Sequence, residues 1–266
     1  CFGGSTFFPI ANLIVSKKTL HSSPLLSDQW SEKTAVLITY ANSITSTNNM
    51  SPLSSLQKFV SSKCQQFIDT VHILPFFPSS SDDGFAVKDY YNVDDEFGDW
   101  KDIINISKSF RVMADVVINH GSSEGVWFKN FIKGEGRGHD YFLSFDNTFD
   151  ITEVVRPRTS PLLNTFDTHD GTRYLWCTFS KDQVDYNFNN PKVINEFVEI
   201  ILYYLKMGIT IFRFDAVAFL WKRIGTSCMN LEKTHEIIRL FRTIIDYLSP
   251  YTVLVTETNT PAFLWK

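Results

Sequence analysis

Three runs of strand-forming residues each carry a charged or imidazole side chain at or next to their end: Asp115-Val-Val-Ile-Asn-His120, Phe212-Arg213-Phe214-Asp215 and Thr256-Glu257-Thr258. Helix-length stretches separate them. One such run could be chance, but three in this spacing constrain the architecture. They place polar groups at the C-terminal ends of successive parallel strands, which is where a (β/α)₈ barrel carries its chemistry. The predicted fold class is therefore α/β.

The rest of the chain agrees with that frame. Residues 35–40 are a continuous apolar run, the expected look of a parallel strand buried on both faces, and residues 71–76 read as the second strand. Between them, Ser51 as N-cap and Pro52 at the first helical position predict a helix. Its apolar set is Leu53, Leu56, Phe59 and Val60. A loop over 77–98 precedes a short helix over 100–110 and a third strand over 112–118. Asn190-Pro191 opens a helix that reaches Met207. It is followed by a strand over 210–214, a helix over 234–248 and a strand over 252–257. About five βα units are visible, a partial (β/α)₈ barrel. Residues 1–33 read as an irregular lead-in, and 34–266 as the barrel domain. Residues 121–190 lose the alternation and read as a small inserted domain after the third strand, since loops of that length are usually functional. On this strand count the barrel does not close within 266 residues. The outer strands of the set, 35–40 and 252–257, are then expected to carry unpaired edges, and Phe76 and Val117 to be poorly covered.

Composition excludes several function classes. A net charge of -4 carries no basic footprint for nucleic acid, and no apolar run is long enough for a bilayer span. Cys1, Cys64, Cys177 and Cys228 lack metal or disulfide spacing. They read as reduced thiols of a cytoplasmic protein. No metal site is expected, because the Asp cluster at 82–83 lacks calcium-loop spacing.

The candidate site residues follow from side-chain alternation. Arg213 and Asp215 share one face of their strand, and Phe212 and Phe214 share the other. Two phenylalanines suit the helix-covered side. An Arg and an Asp in a lumen are costly unless paired and used. The expectation is that Arg213 keeps Asp215 ionised and nucleophilic, and that Glu257 faces it and carries a proton. Such a carboxyl pair is the tool set for breaking a glycosidic bond with retention. His120 reads as a donor to a sugar hydroxyl. Asp115, deeper in its strand, reads as a buried partner of Arg213 or His120. Asp82 lies in a strand-end loop whose carboxylates and tyrosines suit sugar hydroxyls. Arg156 and Arg158 read as an anion clamp, because a planar guanidinium grips phosphate through two hydrogen bonds.

These segments together resemble the α-amylase family, glycoside hydrolase family 13, and within it the sucrose phosphorylase subfamily that includes glucosylglycerate phosphorylases. The resemblance runs from about Leu37 to Thr260. It is carried by His72-Ile-Leu-Pro-Phe-Phe-Pro78, Ser81-Asp-Asp-Gly-Phe85, Asp89-Tyr90, Asp115-Val-Val-Ile-Asn-His120, Val155-Arg-Pro-Arg158, Gln183-Val-Asp185, Phe212-Arg-Phe-Asp-Ala216, Leu220-Trp-Lys222, Gly225-Thr-Ser-Cys228 and Glu257-Thr-Asn259. It implies that Asp215 is the nucleophile and Glu257 the general acid/base. It also implies that Arg213 and His120 line the glucosyl ring, that Asp82 holds its distal hydroxyls, and that Arg158 binds phosphate. The family's third carboxylate, an Asp after a His near the seventh strand, finds no counterpart here. Thr168-His169-Asp170-Gly171 imitates it but lies in the insert.

The activity this implies is transfer of a glucosyl unit from sucrose or a related α-glucoside to inorganic phosphate, with no other cofactor. The alternatives are a retaining α-glucosidase or sucrose hydrolase, and a non-catalytic sugar-binding fragment. With neither the third carboxylate nor a closed barrel, residues 1–266 alone are expected to be aggregation-prone and inactive.

Overall fold

The computed structural model describes residues 31–46 and 48–258. All but the last three residues of the 1–33 lead-in lie outside them. Strand β1 (Val36–Thr39) leads to helix α1 (Pro52–Phe59) and strand β2 (Thr70–Ile73). Helix α2 (Trp100–Ser107) and strand β3 (Arg111–Val117) follow. The insert then supplies β4 (His120–Ser122), α3 (Val126–Lys133), β5 (Ser144–Phe145), β6 (Leu163–Thr168), β7 (Gly171–Trp176) and β8 (Gln183–Asp185). Helix α4 (Pro191–Lys206), strand β9 (Ile209–Asp215), helix α5 (Glu232–Leu248) and strand β10 (Val253–Thr256) restore the alternation.

Five strands form one parallel sheet in the order β1-β2-β3-β9-β10. Each strand lies beside the next barrel strand in the chain, which is the order of a (β/α)₈ barrel and makes the sheet five strands of one. Among the described residues β1 and β10 are its two edges. Pairing on one side leaves β1 less covered than its apolar sequence suggests: Ile38 is 61% exposed. The strand is therefore not buried on both faces. Phe76 and Val117, in contrast, are fully enclosed. Phe76 lies between Phe77, at 4.4 Å, and Trp100, at 5.6 Å. Local aromatic packing supplies the cover that a strand count alone did not foresee.

Local chemistry explains the helix starts. Ser51 Oγ accepts the N–H of Ser54 at 3.1 Å, and Pro52 occupies the first turn of α1. Leu53, Leu56 and Val60 are buried, while Phe59 faces outward. Asp99 caps α2 in a capping box with Asp102. Asp102 also accepts from Ser51 Oγ and Ser54 Oγ, tying the two helix starts together. Asn190 caps α4 through Lys192 N–H. In α5, Ile237, Phe241, Ile244, Ile245 and Leu248 recur at helical spacing and are buried. Phe241 meets Phe214 of β9 edge-on at 5.6 Å.

The insert is built differently. Strands β5, β7 and β6 form an antiparallel sheet with its own small core around Leu162 and Trp176. Cys228, from the loop after β9, packs into that core. The Thr168–Gly171 string is the tip of the β6–β7 hairpin, and Asp170 pairs there with Arg173. It is a turn, away from the cleft.

Candidate active site

Strand register sets the charged half of the site. On β9, Phe212 and Phe214 are wholly buried on the helix side. Arg213 and Asp215 point the other way, as alternation demands. Asp115 of β3 stands directly opposite Arg213 in the parallel ladder. The Arg213 guanidinium bonds to Asp115 and reaches Asp215 at 3.2 Å and Glu257 at 3.5 Å. Asp115, fully buried, uses its second oxygen to meet His72 Nε2 at 2.8 Å. Its partners are thus Arg213 and His72. His120, the other partner considered from the sequence, lies elsewhere.

Glu257 follows β10 directly. Its backbone N–H donates to Phe214 C=O at 2.9 Å, and its Oε2 accepts the N–H of Ala216 at 2.9 Å. Ala216 adopts φ +53°, a left-handed conformation that is uncommon for a residue with a side chain. That turn aims the amide at Glu257 and leads the chain away behind Asp215.

Electrostatics correct one expectation. Burial and then the neighbouring Glu257 charge push the Asp215 carboxyl well above the ordinary carboxylate range, and Arg213 offsets only part of this. Proximity to Arg213 was expected to dominate, but the depth of the site outweighs it. Arg213 itself stays firmly charged. Burial would lower it, but Asp115, Asp215 and Glu257 together raise it.

The insert supplies the other half. His120 does not end β3. It opens β4, paired with Asp185 of β8. Its Nε2 lies 3.1 Å from the Phe85 carbonyl and its Nδ1 3.3 Å from Asn119 Nδ2. Burial lowers its basicity, so the ring is neutral at neutral pH. Asn119 is held in turn by Asp185 at 2.9 Å and Lys222 at 2.9 Å, and those two form a buried ion pair at 2.6 Å. Gln183 Nε2 donates to Asp82 Oδ2 at 2.7 Å.

Between the two halves lies a cleft of about 290 Å³. Asp82, His120, Arg158, Arg213, Asp215 and Glu257 all line it, together with Phe85, Phe179 and Gln183. Arg158 is exposed, with its guanidinium 5.9 Å above the Phe179 ring. Arg156 is not brought to the cleft. Its guanidinium bonds the carbonyl of Ser160 within its own loop. A clamp of two arginines is therefore not assembled: the chain bends over residues 157–160, which brings the Ser160 carbonyl back to Arg156 and leaves Arg158 alone at the cleft. Asp115 supports the site from beneath.

Sequence reasoning gave no role to His72, Phe179, Gln183 or Lys222. A histidine inside an apolar strand was the one available signal for His72. Gln183 and Phe179 carry no charge pattern that would single them out.

A parallel barrel sheet with polar groups gathered at its strand ends is the catalytic-face arrangement of a (β/α)₈ barrel. The α-amylase catalytic domain family matches residues 66–263, and the chain belongs to that family. Two glucosylglycerate phosphorylases are similar to it. The one from Allomeiothermus silvanus is 45% identical over 232 residues, covering 87% of this chain and 42% of the relative. The one from Escherichia coli is 46% identical over 233 residues, with the same two coverages. The crystal structure of sucrose 6F-phosphate phosphorylase from Thermoanaerobacter thermosaccharolyticum superposes with a TM-score of 0.78 at 28% identity, over 90% of this chain and 51% of that one. The chain thus spans about 42% of the length of these two curated relatives.

Proposed function

We propose that the protein carrying this chain transfers an α-glucosyl unit to inorganic phosphate with retention of configuration. The Asp215 carboxylate attacks the anomeric carbon while Glu257 protonates the departing oxygen, leaving a β-glucosyl ester on Asp215. A phosphate oxygen then attacks the same carbon, Glu257 takes up the proton, and α-glucose 1-phosphate leaves with Asp215 regenerated. This two-step use of a carboxyl pair is the retaining mechanism. The observation that carries the reading is the meeting of Asp215, Glu257 and Arg158 on one cleft. Neutral His120 and Asp82 are the groups assigned to the ring hydroxyls, and Arg158 to phosphate. Inorganic phosphate is the co-substrate this chemistry needs.

The donor proposed first is a glucosylglycerate, because the more similar relatives are named for it, whereas sucrose 6(F)-phosphate phosphorylase is 33% identical. Sucrose itself ranks below it. A cytoplasmic location is part of the proposal, supported by Cys64, Cys177 and Cys228 being free thiols. Among the described residues no helix is long and apolar enough to cross a membrane.

The test is turnover of glucosylglycerate, sucrose and sucrose 6F-phosphate with and without phosphate. Phosphate-dependent release of glucose 1-phosphate is expected. Equal release of free glucose without phosphate would make the protein a retaining α-glucosidase. Arg158→Ala should raise KM for phosphate ~10–100-fold, the range for hydrogen bonds to a charged group, with KM for the glucoside little changed.

A further inference from the structure

One carboxylate beside the cleft takes no part in this chemistry. Asp182 precedes β8 in the insert and faces the loop after β2. Its Oδ2 accepts from Ser80 Oγ and Ser81 Oγ, both at 2.5 Å. Its Oδ1 accepts from Ser123 Oγ at 2.7 Å, Ser123 N–H at 3.1 Å and Ser122 Oγ at 3.2 Å. Burial alone would raise this carboxyl, but the serine hydroxyls hold it below its usual range, so it is a charged acceptor at neutral pH.

What it grips is a strained turn. Asp82, Asp83 and Gly84 are consecutive residues at φ +56°, +49° and +102°. A side chain at Gly84 would come within 2.8 Å of the Pro75 carbonyl oxygen. Aspartates in left-handed conformations persist where the surroundings over-determine them. Two successive insert residues do this to two successive turn residues: Asp182 takes Ser81, and Gln183 takes Asp82.

We propose that Asp182 is a positioning residue for Asp82. Its carboxylate locks the turn over 80–83 to the insert, so that Asp82 faces the bound ring and grips its distal hydroxyls. This rests on the reading above that the cleft receives a glucosyl ring.

The test uses 4-nitrophenyl α-glucoside and its 4-deoxy analogue with Asp182→Ala, Asp82→Ala, the double variant and Ser81→Ala. Asp182→Ala is expected to lower kcat/KM for the parent glucoside ~10–100-fold, the scale of an ångström-sized misplacement. The loss should fall mainly on KM, be smaller for the 4-deoxy analogue, and nearly vanish in the Asp82→Ala background. Amide exchange should quicken at 80–83 while α4 and α5 stay protected. Ser81→Ala should move every readout the same way by less, and it serves if Asp182→Ala does not fold. Equal losses for both glucosides, or the full loss persisting without Asp82, would overturn the inference and make Asp182 a general tie between loop and insert. Unchanged kinetics in Asp82→Ala itself would instead remove the glucosyl-site reading, while amide exchange still reports whether Asp182 fixes the turn.

Discussion

On the strand side of the cleft, Arg213 lies between Asp115 and Asp215 because parallel register puts them there. On the insert side, Gln183 bonds Asp82 and His120 bonds the Phe85 carbonyl, contacts that span 101 and 35 positions in sequence. The first half is a lattice of charges in which burial and Glu257 raise the Asp215 carboxyl, and Asp115, Asp215 and Glu257 keep Arg213 charged. The second half keeps a buried ion pair, Lys222–Asp185, behind its lining groups, and those groups are fixed by hydrogen-bond geometry. Reacting charge therefore rides on the repeating strands, and recognition groups ride on irregular segments, the loop after β2 and the insert. The strand half should fail abruptly under mutation, and the insert half by degrees.

Asp215→Asn is the largest expected break, lowering turnover by on the order of 10⁴-fold or more, as for other covalent nucleophiles. Its stability should move the other way. A carboxyl whose folded-state pKa is raised stabilises the fold below its unfolded value and loses that contribution as pH rises through the folded value. Asp215→Asn should therefore melt above the parent at neutral and alkaline pH, with the gap closing as pH falls. The acid limb of the parent's activity profile should also lie above the usual carboxylate range, since only ionised Asp215 attacks. Melting curves and rates across pH check both. A gap that widens in acid would reverse the assigned direction.

Glu257→Gln comes next, with a loss of ~10²–10⁴-fold for glucosides with poor leaving groups. Activated aryl glucosides should lose much less. Equal losses across a leaving-group series would remove Glu257 from the proton-transfer role.

Asp115→Asn sharpens the contrast within the strand half, because it leaves Arg213 and His72 without their shared buried anion. Breaking a buried pair costs about 3–5 kcal/mol, read by denaturant unfolding. A cost near zero would mean that the lattice is not cooperative.

Arg156→Ala is the smallest. With its guanidinium turned to Ser160, phosphate KM should change less than about twofold, within the range of surface substitutions. A loss matching that of Arg158→Ala would restore the two-arginine clamp.

The split between the halves is also the split in what the sequence disclosed. The alternation Phe212-Arg213-Phe214-Asp215 told which side of its strand carried charge, because a strand's period of two leaves no other choice. Ser51-Pro52 and Asn190-Pro191 marked helix starts because capping is local chemistry. The strand order and the cluster of Asp215, Glu257 and Arg213 were legible for the same reason. Only the tertiary structure decided that His72 braces Asp115, that Arg156 turns away, and that Asp182 and Gln183 seize the turn bearing Asp82. It also decided that Asp215 titrates upward, since desolvation depends on how much protein surrounds a group and no spacing records that. Periodicity reports which residues share a face, whereas contacts across a hundred residues depend on where the insert folds back.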